Sequence, residues 1–277
     1  MAGRRPSHVA RAVAGTLVAL LFVLPLWFMV SGSLREPGTP PPRTPELVPR
    51  PASTESYELA FDHVDLARHT VNSLAVAALT VPPAVLFASW AGFALLLVAG
   101  RARAVLIAVS FAALMVPVTA LLVPRFTVFR WLGLTDTWAP LVAPALMGLS
   151  PFYVLLCYWS FRRLPPELFE AARLEGVTPF RMWRKLAMPL VRPVTVAIAL
   201  LAFIASWGNF LDPLVYLFDT DLYTLPLGLR QLSVLDRTNY PVLLAAAVVA
   251  TAPVVAAFAV AQRYFLHEDR GAGWLGR

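Results

Sequence analysis

Residues 240–266 read YPVLLAAAVVATAPVVAAFAVAQRYFL, and the first charged side chain in that stretch is Arg263. A helix of about 20 apolar residues crosses the roughly 30 Å of hydrocarbon in a bilayer. This segment is therefore long enough to span one. Outward from it, comparable apolar segments occupy about 9–31, 70–99, 104–124, 139–161 and 192–218. Six such runs predict an all-α, polytopic membrane protein with six transmembrane helices.

Composition points the same way. The 277 residues are 58% hydrophobic and only 14% charged, against about 25% charged in a soluble globular domain. Disordered, collagenous, disulfide-scaffold and ordinary cytosolic classes are excluded. The single cysteine, Cys157, lies inside an apolar run, where it packs as a small hydrophobe and has no partner for an internal disulfide. The first run follows Arg4 and Arg5 like a signal peptide. It is longer than the usual apolar region of such a peptide, and no clear small-residue cleavage site follows, so an uncleaved helix is expected.

Charge sets the expected orientation. With residues 1–8 and the tail 267–277 placed in the cytoplasm, the internal segments hold 15 basic residues and the external loops 8, the latter interleaved with acids. Cytoplasmic loops carry the excess of arginine and lysine, so both termini are expected inside. The same rule explains the net charge of +7 without a nucleic-acid partner.

The external loop 32–69 carries seven prolines between Pro37 and Pro51, which favour extended backbone. It is a spacer or a partner-contacting surface, with a short helix expected near Tyr57–Leu66. The loop from about 125 to 138 mixes Arg125, Phe126, Phe129, Trp131 and Trp138, the residue types that anchor helix ends at a membrane interface.

The internal loop 162–191 is punctuated for two short helices. Pro165 or Pro166 suits a first helical turn, Glu167 and Glu170 lie near the positive helix end, and Gly176 can take the left-handed conformation that ends a helix. Thr178 then caps a second helix starting at Pro179, on which Phe180 and Trp183 share a face and Arg181, Arg184 and Lys185 can reach phosphates or a partner. Positive charge alone needs none of this. Small Ala171 and Ala172 beside Glu170 suggest a docking element that a protein partner approaches closely; an amphipathic helix lying on the headgroups is the alternative.

Within the fifth run, Ser206-Trp207-Gly208-Asn209-Phe210-Leu211-Asp212-Pro213 puts polar groups at membrane depth. Ser206, Asn209 and Asp212 are spaced to share one helical face, and an ionisable residue within a span marks a pathway. Pro213 disfavours helical backbone at Asp212, so a kink is expected there. Interhelical hydrogen bonding, or a position just outside the hydrocarbon, is the plainer reading.

Several chemistries lack their residues. Lys185 is the only lysine and follows Arg184, so there is no Walker A sequence. Gly271-Ala272-Gly273-Trp274-Leu275-Gly276 matches GxGxxG, but no helix follows it. His8, His63, His69 and His267 are scattered, without a metal-binding pattern, and no GxSxG elbow is present. No catalytic residue and no metal ligand is expected.

Glu170-Ala171-Ala172, then Gly176, then Pro189-Leu190 resembles the EAA motif of ABC importer permeases. The resemblance extends to the maltose-type carbohydrate permeases through Pro25-Leu26-Trp27-Phe28, Asn72-Ser73-Leu74, Ser206 to Leu214, Tyr223 to Leu229 and Gln262-Arg263-Tyr264-Phe265. These stretches cover most of the chain, in the family's order. The resemblance implies a type I importer permease fold and a bacterial inner-membrane location. It also implies a non-catalytic subunit forming half of the pathway for a sugar delivered by an external solute-binding protein. A second six-span permease would complete the pore. A partner ABC ATPase would bind ATP and Mg, docking through Glu170, Ala171, Ala172, Glu175, Gly176 and Pro189. Ser206, Trp207, Asn209 and Asp212 would face the substrate pathway. Two departures stand out: Glu175-Gly176-Val177 replaces the usual Asp-Gly-Ala, and Trp207-Gly208-Asn209-Phe210 replaces Trp-Asn-Asp/Glu-Phe. The same machinery carrying a polyamine, an oxyanion or a peptide is the nearest alternative. An ion-coupled transporter or a membrane enzyme is a more distant one.

Overall fold

The computed structural model describes residues 8–42, 44, 46–147, 150–235 and 238–266. The basic residues at positions 4 and 5, the paired glycines of the tail and His267 lie outside the described residues. Among the described residues there is no strand. The helices are α1 (His8–Ser33), α2 (Glu55–Val64), α3 (Leu66–Leu97), α4 (Gly100–Leu114), α5 (Leu122–Trp131), α6 (Ala139–Leu146), α7 (Pro151–Arg162) and α8 (Pro166–Leu174). They continue with α9 (Pro179–Leu190), α10 (Arg192–Trp207), α11 (Leu211–Tyr216), α12 (Leu225–Leu235) and α13 (Tyr240–Leu266).

Four segments are long and apolar enough to cross a membrane: Ala12–Ser33, Leu66–Leu97, Ala139–Arg162 and Tyr240–Tyr264. Two further pairs qualify only when taken together, Gly100–Leu114 with Val118–Trp131 and Pro179–Leu190 with Arg192–Trp207, each bent by 86°. Counting each bent pair as one span gives six.

The first bend departs from the expected straight span over 104–124; the second lies at Val191, where α9 meets α10 at the edge of the expected span over 192–218, and that span is itself broken after Trp207. In the first, Pro117 takes φ −63° and ψ 127°, removing a helical N–H and holding the backbone extended. The chain then re-forms as α5, so much of the stretch 125–138, expected as a loop, is helical. In the 192–218 stretch, α10 ends at Trp207 and Asn209 intervenes before α11. Its Oδ1 accepts the Asp212 N–H at 3.2 Å, a local bond that competes with helix continuation. Pro213 is not the breaker; it sits in the first turn of α11, where its missing N–H costs nothing.

The chain divides into two units. One comprises residues 1–67 and 228–252. Here the proline-rich loop is laced to the end of α1: Trp27 Nε1 donates to Leu47 O at 2.9 Å, Ser31 Oγ to Glu46 O at 3.1 Å, and Ser33 Oγ pairs with Tyr57 OH at 2.7 Å. The helix expected near Tyr57 is α2.

The other unit comprises residues 68–227 and 253–277 and holds both candidate sites. Two of its helices cross closely at Gly92 of α3, where an added Cβ would stand 2.6 Å from Cys157 Cβ and 2.9 Å from backbone atoms of α7. One core gathers Phe93, Phe161, Phe169, Trp183 and Ile198, and a second gathers Phe129, Leu141, Tyr216 and Leu227.

Candidate functional site

The internal loop folds as its punctuation predicts. Pro165 precedes α8 and Pro166 opens it, with Glu167 in the first turn. Gly176 takes φ +72°. Its N–H donates to Arg173 O at 3.0 Å, while Val177 N–H donates to Ala172 O at 2.9 Å, the paired reverse bonds that close a helix through a left-handed glycine. Thr178 Oγ1 accepts the Arg181 N–H at 3.4 Å and caps α9. Inside α9, residues Met182–Ala187 form a π-helix.

Aromatic anchors press this element onto the spans. Phe169 lies against Phe93 with ring centroids 6.0 Å apart, and Trp183 meets Trp90 edge-on at 5.6 Å and Phe180 at 5.5 Å. Burial of Phe169 and Trp183 turns the opposite face outward. Glu170, Ala171, Glu175, Gly176 and Pro189 are exposed. Ala172 departs from the expected pair of small exposed residues: it is half-buried and packs with Val177 on the core. Leu174, which sequence reasoning passed over, is 90% exposed. A leucine that close to an uncovered glycine turn is an apolar knob with no cover in this chain.

The second site is a cavity of about 230 Å³ between α3, α6, α7, α10 and α11. Ser206, Asn209 and Asp212 line it together, although they do not share one continuous helix. The cap geometry at Asn209 keeps them on one side. Asn209 Nδ2 donates to Asp212 Oδ2 at 3.0 Å, and Arg125 Nη1 of α5 donates to Asp212 Oδ1 at 3.3 Å. Arg125 Nη2 also donates to Pro140 O at 3.2 Å. Trp207 is not brought to this cavity; it is buried and stacks on Phe203 at 5.6 Å. Tyr153, Thr80 and Thr224 line the cavity from other elements. Nothing in the local sequence marks Tyr153 or Thr80, and although Thr224 lies in the Tyr223 to Leu229 stretch, only the fold brings the three together.

Beside the cavity, the segment after α11 is held by two side chains of α3. Asn72 Nδ2 donates to Asp221 O at 2.8 Å and Tyr223 O at 2.9 Å, and Ser73 Oγ accepts the Leu225 N–H at 2.7 Å. Asp136 fixes the same segment from the loop after α5. Its Oδ1 accepts the Phe218 and Asp219 N–H groups, both at 2.9 Å. Those donors, Asp219 first, hold its carboxyl below the usual carboxylate range.

Comparison with known proteins places this arrangement. The family model described as binding-protein-dependent transport system inner membrane component matches residues 84–267. The arabinooligosaccharides transport system permease protein AraQ of Halalkalibacterium halodurans is 35% identical over 195 residues, covering 70% of this chain and 69% of that one. The trehalose transport system permease protein SugB of Mycobacterium tuberculosis is 28% identical over 265 residues, covering 95% of each. Among solved structures, a bacterial ABC transporter involved in the import of the acidic polysaccharide alginate aligns with TM-score 0.76 at 22% identity, covering 95% of this chain and 99% of that chain. The chain belongs to the family of inner membrane components of binding-protein-dependent transport systems, as a multi-pass permease subunit with the all-α fold of ABC importer permeases.

Proposed function

We propose that this chain is one half of the translocation pathway of an ATP-driven sugar importer in a bacterial inner membrane. Both termini lie in the cytoplasm, as the internal excess of basic residues supports. A solute-binding protein delivers the sugar from outside, a second six-span permease completes the pore, and cytoplasmic ABC ATPases bind ATP and Mg. Relatives named for arabinooligosaccharide and trehalose transport support the sugar reading.

The observation that carries the reading is the α8–Gly176–α9 element. Its inner face is fixed by Phe169 and Trp183, and its outer face presents Glu170, Ala171, Leu174, Glu175 and Gly176. A rigid element with an uncovered, partly apolar face is suited to seat in a cleft of an ATPase. Closure of the ATPases would push on that face, and the tie through Phe93, Phe161 and Ile198 would carry the push into α3, α7 and α10. Ser206, Asn209 and Asp212 face the substrate pathway through the cavity.

The test is to tag the chain, solubilise native membranes in mild detergent, and identify what co-purifies by mass spectrometry. A Walker-A ATPase and a second permease are expected. Repeated recovery of the chain alone, in a detergent that keeps a known ABC importer intact, would overturn the reading.

A further inference from the structure

We infer that Arg192, Arg263 and Tyr264 form a binding site for the phosphate of an anionic lipid, such as phosphatidylglycerol, in the cytoplasmic leaflet. The inference rests on the orientation proposed above and adds a ligand that neither solute passage nor ATPase docking requires.

The site lies where two spans end. Arg192 opens α10, directly after the bend that joins it to α9, and Arg263 stands in the last turn of α13. Both guanidiniums converge on one ring. Arg192 Cζ lies 4.8 Å and Arg263 Cζ 5.1 Å from the Tyr264 centroid. One Nη2 of each donates to the Tyr264 hydroxyl, at 3.5 and 3.4 Å. A single side chain thus gathers two like charges, which repel at this range, and an anion between them relieves that repulsion.

The donors are placed for a phosphate. Both Nη2 atoms reach the same oxygen, so both fall within the span of one phosphate group. Charge-assisted N–H···O bonds settle at about 2.7–2.9 Å. The two bonds to Tyr264 are well beyond that, so the phenol does not saturate either guanidinium. Arg192 spends only this one of its five donors among the described residues. The Tyr264 hydroxyl accepts from both arginines and keeps its own O–H to donate. Contact with the ring face pre-orients the cations, and the planar fork of arginine matches phosphate geometry.

The surface beside the site favours a lipid over phosphate in solution. No charged residue precedes Arg263 in α13 after Tyr240, and Val255, Phe258 and Val260 of that helix are each more than half exposed. Val260 lies one turn before Tyr264 on the same face. An acyl chain can lie along these uncovered side chains while its headgroup meets the arginines. Basic pockets between helix ends on the cytoplasmic side take anionic headgroups in this way. A zwitterionic headgroup brings its own cation and gains less.

The test uses the intact ATPase–permease complex in phosphatidylcholine nanodiscs doped with a photo-crosslinking phosphatidylglycerol, labelled peptides being mapped by mass spectrometry. Labelling at the start of α10 and the end of α13 is expected. Unlabelled phosphatidylglycerol should compete it away, an excess of inorganic phosphate should not, and a photo-crosslinking phosphatidylcholine should label these ends far less. Arg192→Gln and Arg263→Gln should each lower the labelling about fivefold. Tyr264→Phe keeps both charges and should lower it about threefold, which decides the matter where the arginine variants fail to assemble. Arg163→Gln removes the same charge just after α7 and should leave it unchanged. Equal labelling by the two lipids, equal loss in Arg163→Gln, or unchanged labelling in the assembled site variants would overturn the site, and displacement by inorganic phosphate would overturn the lipid. Nanodiscs offer lipid to both faces, so failure here leaves the orientation and the importer reading intact, whereas a chain that recruits no ATPase sinks that reading first.

Discussion

Arg125 of α5 holds Asp212 of α11 across 87 residues of sequence, Nη1 to Oδ1 at 3.3 Å, with side chains 22% and 14% exposed. Neither partner is free to find water easily. Removing one leaves the other partly buried and unpaired, which costs more than losing the pair itself. Asp212→Ala and Arg125→Ala should each destabilise the purified complex by about 2 kcal/mol, below the range for fully buried pairs. The double variant should fall short of the sum by about 1 kcal/mol. A double-mutant cycle of thermal melts checks this. Additive losses would mean that the two side chains do not interact.

Asn72 makes a sharper chemical prediction. One amide nitrogen donates to two carbonyls, Asp221 O and Tyr223 O, and the residue is 7% exposed. Asn72→Asp keeps the size but presents an acceptor to two acceptors. It should cost about 3 kcal/mol, more than Asn72→Leu, because the buried carbonyls then face a carboxylate. Melting temperatures of the two variants decide it; equal losses would refute the donor role.

How far the sequence announces these features depends on their range. The α8–α9 element was legible to the residue because its signals are local: Pro166 opens a helix, Gly176 closes it and Thr178 caps the next. The apolar runs were legible because length and composition suffice. The bend at Pro117 was missed because apolar residues continue through it, and hydropathy does not sense backbone direction. The cavity was half legible. Ser206, Asn209 and Asp212 are close in sequence, but Thr80, Tyr153 and the counter-ion Arg125 arrive from separate helices and Thr224 from the segment before α12. The exclusion of Trp207 follows from stacking on Phe203, which spacing alone does not reveal.

Gly92 tests the helix crossing. A methyl group there would meet Cys157 Cβ at 2.6 Å and the Tyr158 N and Val154 O atoms at 2.9 Å. Two of these neighbours are backbone, so no rotamer change relieves the clash. Gly92→Ala should destabilise the complex by about 2–3 kcal/mol despite the better helix propensity of alanine, and Gly92→Val should abolish its recovery as a monodisperse species. Cys157→Ala should not rescue Gly92→Ala, because the Cβ remains. Size-exclusion profiles and melts provide the reading, and a stabilised Gly92→Ala would refute the crossing.

Asp136 carries a pH dependence. Its carboxyl is held below the usual 3.8 by the Asp219 and Phe218 N–H groups. A carboxyl depressed in the folded state contributes stability that is present above its unfolded value and lost as the pH falls through its folded one. The 218–219 segment should therefore be indifferent to pH above the ordinary carboxylate range and loosen only below 3.8. Asp136→Asn keeps the accepting oxygen and removes the charge, so it should flatten that acid limb. Hydrogen exchange at the Phe218 and Asp219 amides measures both. Loosening near neutral pH would show that another group governs the segment.

Gly176 separates backbone strain from docking. Its φ of +72° is a conformation that disfavours side chains, yet an added Cβ would meet nothing within 4 Å in this chain. Gly176→Asn tolerates that backbone and should cost little, and Gly176→Ala should cost about 1 kcal/mol. Gly176→Trp should insert into the membrane and bind the delivering protein, yet hydrolyse ATP without uptake, because the bulk lies where an ATPase would seat. Glu170→Lys should give the same uncoupling by reversing charge on that exposed face. Uptake and ATP hydrolysis in proteoliposomes distinguish the outcomes. Coupled transport by both Gly176→Trp and Glu170→Lys would show that the ATPase docks elsewhere, whereas uncoupling by both with Gly176→Asn intact places the transmitted force on this turn.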